Sequence, residues 1–251
     1  MTKEQQIEGL YRLADNGLIL GQRLSEWCGH GPILEEDIAL TNIALDYLGQ
    51  ATLVLKHTAI AESMGRDEDD HAFLRNANEY RNFLICELPN GDYAHTIARQ
   101  YLFSSWYRLF LEQLSRSTDE FASGFAAKAL KEVRYHHQHA SDWVLRMGDG
   151  TEESHRRIQE AIDSLWAYTG EFFEFDTLDT ILVAEGLTVD SRSFRETWLR
   201  EVTALLHEAT LSVPGDTWFQ TGGRNGRHTE HLGHLLSDMQ YLQRAYPGAK
   251  W

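Results

Sequence analysis

Residues 125–147, FAAKALKEVRYHHQHASDWVLRM, constrain the fold more than any other stretch. Ala126, Ala129, Leu130, Val133, His137, Ala140, Val144 and Met147 recur at steps of three and four. That spacing predicts one long helix with an apolar face. Such a face must be covered, so the helix demands other helices of similar length. The chain supplies them. Lys3 to Cys28 reads as a helix with Leu10, Leu13, Gly17, Leu20, Leu24 and Trp27 on one side, ended by Gly29, Gly31 and Pro32. Glu35, Glu36 and Asp37 place negative charge at the start of a second helix reaching about Met64. Its core candidates are Ile38, Ile43, Leu45, Leu48, Ala51, Val54 and Leu55. Asp92 is positioned to cap a helix from Tyr93 to about Leu114.

Between the two hairpins, residues 70–87 read as one shorter helix, closed by Leu88, Pro89, Asn90, Gly91 and Asp92. Beyond Gly150, helices are expected from Thr151 to about Phe175, from Ser193 to about Leu211 and from His228 to about Tyr246. Asp176 to Ser191 reads as a short helix followed by a small extended piece, and Val213 to Gly226 as a long polar loop. The fold class is therefore all-α. Two antiparallel hairpins joined by a long crossover make a ferritin-like four-helix bundle, with additional C-terminal helices. A single domain spans 1–251, its bundle core at 3–147 and its helical extension at 151–246.

Composition limits the function. The net charge of −15, from 23 basic and 38 acidic residues, repels phosphate backbones and argues against nucleic-acid binding. Two cysteines, Cys28 and Cys86, are too few for a disulfide framework or a cysteine-rich zinc site, which favours a reducing compartment. The N-terminus does not read as a signal peptide, and no apolar run is expected to span a membrane, so the expected location is cytoplasmic.

A di-metal carboxylate bundle needs one Glu on each of two helices and a Glu-x-x-His on each of the other two. On the second helix the matching positions are Asp46 and Gly49; on the fourth they are Glu132 and Tyr135. Both histidines are replaced. Hairpin geometry sets Asp46 opposite residues 16–20, with Asp15 the one nearby carboxylate, and sets Glu132 opposite residues 101–105, which hold no acid. Two carboxylates cannot hold two hard cations specifically. A single-metal arrangement of Glu132, His136 and Asp46 stays open arithmetically. The structural alternative has Glu132 buried or half-buried beside a side-chain partner, without iron.

Other clusters are less specific. His228, His231 and His234 surround Glu230 without forming a His-Glu-x-x-His motif, and read as a solvated or dimer-facing helix edge. Gly222-Gly223-Arg224-Asn225-Gly226-Arg227 precedes a helix start. Its amides and the guanidiniums of Arg224 and Arg227 make it a candidate for an anion such as a coenzyme A phosphate. A docking or surface loop reads equally well. Most of the seven tryptophans are expected in the core or at interfaces. Ser104 and Ser105 lack a nucleophile motif.

Long strings carry a resemblance: SEWCGHGPILEEDIALTNIALDYLGQA, LPNGDYAHTIARQYLF, KALKEVRYHHQHASDWVLRMGDGTEES and TGGRNGRHTEHLGHLLSDMQYLQRAYPGAKW. From about Leu13 to Trp251 the chain resembles the PaaC-type subunits of bacterial multicomponent phenylacetyl-CoA epoxidases. The resemblance implies a ferritin-like fold and a non-catalytic structural subunit. That subunit would bind and support a sister subunit with the di-iron centre, which forms the ring 1,2-epoxide in phenylacetate degradation. It also implies homodimers, larger assemblies with that partner, no cofactor in this chain and no catalytic residue. Contact with the coenzyme A part of the substrate at a subunit interface is a further expectation. The alternatives are a free-standing ferritin-like metalloenzyme and a homodimeric acyl-CoA binding module.

Overall fold

The computed structural model describes residues 1–215 and 218–249. They form eleven α-helices joined by turns and 3-10 segments, with no strand among them. The fold is all-α and consistent with a ferritin-like helical bundle. Contacts divide the chain into two compact units: Met1–Pro89 with Gly222–Trp251, and Asn90–Thr221. The C-terminal extension is thus shared, its first part packing with the second hairpin and its last thirty residues with the first.

In the first unit, α1 (Lys3–Ser25) packs along α2 (Leu34–Glu62). Thr2 opens α1 with a capping box, its hydroxyl accepting from Gln5 N while the Gln5 side chain accepts from Thr2 N. The two helices approach closely at Gly17, where an added Cβ would lie 3.0 Å from the Tyr47 carbonyl oxygen. Leu10, Leu20 and Leu24 of α1 meet Ile43, Val54 and Leu55 of α2 in a core closed to solvent. The crossover is not the single helix expected over 70–87. It breaks into α3 (Glu68–Phe73), a 3-10 turn at Ala77–Glu79 and α4 (Leu84–Glu87), because its polar residues bond α1 instead of continuing a helix. The last helix also breaks. α10 (Glu230–Met239) stops at Gln240, whose side chain donates to the Arg75 carbonyl, and α11 (Tyr241–Ala245) follows.

In the second unit, α5 (Tyr93–Leu114) pairs with α6 (Glu120–Gly148). Their caps are the expected Asp92 and Asp119, which accept from His95 N and Ala122 N. α7 (Glu152–Trp166) starts at a Thr151 capping box and ends earlier than expected, giving way to a 3-10 segment at Thr169–Phe173. α8 (Thr177–Ala184) and α9 (Arg195–Glu208) complete the unit; the small extended piece expected after α8 is absent. Trp106, Trp166, Phe172, Phe173 and Trp198 form an aromatic core, with Trp106 stacked 5.5 Å from Phe172 and Trp198 edge-on 5.4 Å from Phe173. Trp218 is the exception to the expected burial of tryptophan, at 75% exposed; Trp251 lies outside the described residues.

Two expectations about α2 are corrected. Ile38 and Leu45, read as core, are exposed, and Leu48 is half-buried. α2 is also long and apolar enough to cross a membrane by length and composition, contrary to the sequence reading. Half of its most apolar window is buried inside the chain, as in the core helix of a globular unit.

Candidate functional site

The four degenerate ligand positions fall two in each unit. On α2, Asp46 is half-buried, and Gly49, one turn on, is exposed with open space where a side chain would stand. The register is the expected one, since Gly17 lies against Tyr47 and Ala51, and Gly21 against Ala44 and Leu48. The nearby acid, Asp15, is fully buried and held elsewhere. It accepts two bonds from the Arg75 guanidinium, at 2.9 and 2.5 Å, and one from Arg81 N at 2.8 Å.

On α6, Glu132 is half-buried and Tyr135 is 52% exposed, turned towards His139. Neither Asp46 nor Glu132 is free of partners within the chain. His136, not His137, is the fully buried histidine. His137 is half-buried, its ring 5.8 Å from that of Tyr101. Burial, with the positive charge of Arg108, pushes its pKa down to about 4, so it is neutral near pH 7.

Among the described residues no three His, Cys, Asp or Glu side chains form a group that could hold a metal ion. A di-iron centre of the ferritin-like type does not fit these donors: one histidine position has no side chain and the other carries an exposed phenol.

The glycine-arginine loop and the histidine cluster meet a different fate. Gly222 and Gly226 take positive φ, and a Cβ at Gly226 would collide with the Asn78 carbonyl oxygen. The amides of Asn225, Gly226 and Arg227 donate to the loop's own carbonyls at Gly222 and Gly223. Exogenous anions would therefore meet the half-buried Arg224 and exposed Arg227 side chains, not the amides.

The start of α10 is already served by a carboxylate of this chain. Glu87, fully buried, accepts from Thr229 N at 2.6 Å, the Thr229 hydroxyl at 2.8 Å and Asn82 Nδ2 at 2.8 Å. His228 is not the solvated edge expected of it. Its Nδ1 lies 2.7 Å from Glu87 Oε2 and its Nε2 3.0 Å from the Tyr80 carbonyl oxygen. Both ring nitrogens face acceptors, which suits the imidazolium. Burial opposes that charge, but the hydrogen bond and charge of Glu87 and the Tyr80 carbonyl outweigh it, and the pKa is raised. Arg23 reinforces the junction, donating to the carbonyls of Glu87 and His231.

Sequence reasoning missed this polar spine. Arg75 lies between the rings of Tyr11 and Tyr80, 4.0 and 4.2 Å from their centroids, and bonds the His71 and Glu79 carbonyls as well as Asp15. One signal was present: Asp15 and Arg23 interrupt the otherwise apolar face of α1. Ser104 and Ser105 are buried and structural in their bonding, Ser105 donating to the Leu102 carbonyl and accepting from Trp198 Nε1 at 2.9 Å.

Long helical hairpins, an all-α fold and ligand positions without their histidines define a ferritin-like helical protein that lacks a recognisable metal-ligand set of its own. The sequence matches the family described as Phenylacetic acid catabolic protein over residues 1–251, and the chain belongs to that family. It is 48% identical over 240 residues to the PaaC-type subunit of the 1,2-phenylacetyl-CoA epoxidase of Escherichia coli (strain K12), covering 96% of each chain.

Proposed function

We propose that this chain is a non-catalytic structural subunit of a phenylacetyl-CoA 1,2-epoxidase. It binds and supports a sister subunit that holds the di-iron centre, in aerobic phenylacetate degradation in the cytoplasm. The observation that carries the reading is the pair of altered Glu-x-x-His positions, Asp46 with Gly49 and Glu132 with Tyr135. A helix pair that has lost these ligands keeps its packing surfaces, so it can hold a catalytic neighbour in shape without doing chemistry. The Escherichia coli relative is one subunit of an epoxidase, which supports assembly with other subunits. In this reading no metal or cofactor resides here, and Arg224 and Arg227 are the side chains to test for contact with a coenzyme A phosphate.

The deciding experiment expresses the chain with and without the sister subunit and measures mass, iron and phenylacetyl-CoA turnover. Expected are a stable complex with iron and turnover, and neither from this chain alone. Stoichiometric iron and redox activity in the isolated chain, lost on changing Asp46 and Glu132 to Ala, would overturn the reading. Arg224→Ala with Arg227→Ala tests the phosphate contact: weaker substrate binding by the complex supports it, and unchanged binding removes it.

A further inference from the structure

The outer face of α2 does not resemble the outer face of a solvated helix. Leu34, Ile38, Leu45, Leu53 and Ile60, with Met64 just past the helix end, are each between 38% and 76% exposed. At about 100° per residue the five on the helix fall within about 60° of one line along it, which passes through Gly49. Asn42 and Lys56 complete the line, and Lys56 is its one charge, lying 3.2 Å from Glu68. On α6 the exposed positions Lys128, Lys131, Arg134 and Gln138 are polar, as water requires. An apolar line of this length on a chain of net charge −15 marks an interface.

Its pattern selects the occupant. Counted from Gly49, the line reads Leu45 and Leu53 at four residues either side, Asn42 and Lys56 at seven, Ile38 and Ile60 at eleven, and Leu34 and Met64 at fifteen. The sequence of side-chain types is nearly the same in both directions. We propose that α2 pairs with α2 of a second copy of this chain, antiparallel, with the two-fold axis at Gly49. That symmetry sets Leu45 against the other copy's Leu53 and Ile38 against its Ile60, the self-complementary arrangement of an isologous contact.

Gly49, with nothing within 4 Å of its Cβ position, lets the two backbones approach at the crossing. Charge agrees. The acidic N-terminal end with exposed Glu35 faces the basic C-terminal end of the other copy, with Arg66 and Lys56, and like charges are absent along the line between.

Size sets the affinity. α2 is 29 residues long. At 1.5 Å per residue and about 10 Å across, it offers about 400 Å² per copy, or about 800 Å² in total. That is below a standard interface, so helix pairing alone gives a concentration-dependent dimer in the micromolar range.

The test uses the whole chain and does not depend on the function proposed above. Light scattering across roughly 1–100 µM should show a shift from the chain mass to twice that mass. Leu45→Glu with Leu53→Glu should weaken the dimer at least about a hundredfold, with helix content and melting retained because both positions are exposed.

In a Cys28→Ser background, Gly49→Cys should oxidise to a cross-linked dimer. Helices 8–10 Å apart bring facing Cα atoms to about 4–5 Å, within disulfide reach. Leu45→Cys alone should not cross-link, but should do so when mixed with Leu53→Cys. A monomer throughout this range overturns the proposal. So does a dimer indifferent to the two glutamates, cross-linking at other positions, or burial of this face only when a different subunit is added.

Discussion

The two units solve the same problem, covering a long helical hairpin, with different chemistry. The unit of α5 and α6 is built from neighbouring helices and a core of tryptophan and phenylalanine, with Ser105 and Trp198 as a local polar pair. The unit of α1 and α2 is assembled from pieces far apart in sequence. It uses buried ions to do so: Asp15 with Arg75, and Glu87 with His228. Apolar packing is non-directional and suffices when the chain itself brings helices together. A crossover and a distant C-terminal segment need directional bonds to fix their register, at the cost of desolvating charges. The outward faces contrast as well: α2 is apolar where α6 is charged.

The contrast breaks first at its buried charges. Asp15→Ala leaves Arg75 charged and unpaired, so urea unfolding should show a loss of about 3–5 kcal/mol. Replacing both, as Asp15→Leu with Arg75→Met, should recover most of it; a double variant as weak as the single one would show that the bonds of Arg75 to backbone carbonyls matter more than the ion pair. In the aromatic unit, Trp198→Phe keeps an apolar ring while removing one buried hydrogen bond and some volume, and should cost about 1–2 kcal/mol.

Two histidines sharpen the comparison through pH, with opposite signs. The raised pKa of His228 means its charged form is favoured by folding. Its contribution is fully present below about pH 6.5 and is lost as pH rises through the folded value. His137 is depressed to about 4, so stability is lost as pH falls from about 6.5 towards about 4. Proton-detected titration should find His228 still charged where His137 is long neutral. His228→Gln should remove the loss of stability on the alkaline side; an unchanged pH profile would break the assignment. The smallest effects lie at the caps. Asp119→Ala should cost about 1 kcal/mol, while Ile33→Ser, at the start of α2 where no side chain caps the helix, should gain about 0.5–1 kcal/mol.

Much of the candidate site was legible. The substitutions at Gly49 and Tyr135 are visible in the sequence alone, because a Glu-x-x-His spacing can be checked residue by residue. Their exposure was not, and neither were the partners of Asp15 and Glu87. Those partners lie about sixty and one hundred and forty residues away, beyond the reach of any periodic pattern. His228 was misread for the same reason: histidines at steps of three look solvated until a carboxylate from another segment is set beside one of them.

By itself the sequence determined the helices, their caps and the absence of histidines at the ligand positions. These follow from local propensity, side-chain spacing and residue identity, which act within a few turns. Tertiary structure decided where the crossover breaks, which ions pair and which apolar side of α2 is covered. Helical periodicity says that a residue is apolar and on a given face, but not what lies opposite. α2 is apolar on both sides, and only packing against α1 shows that Val54 and Leu55 face inward while Leu45, Gly49 and Leu53 are left to the outside.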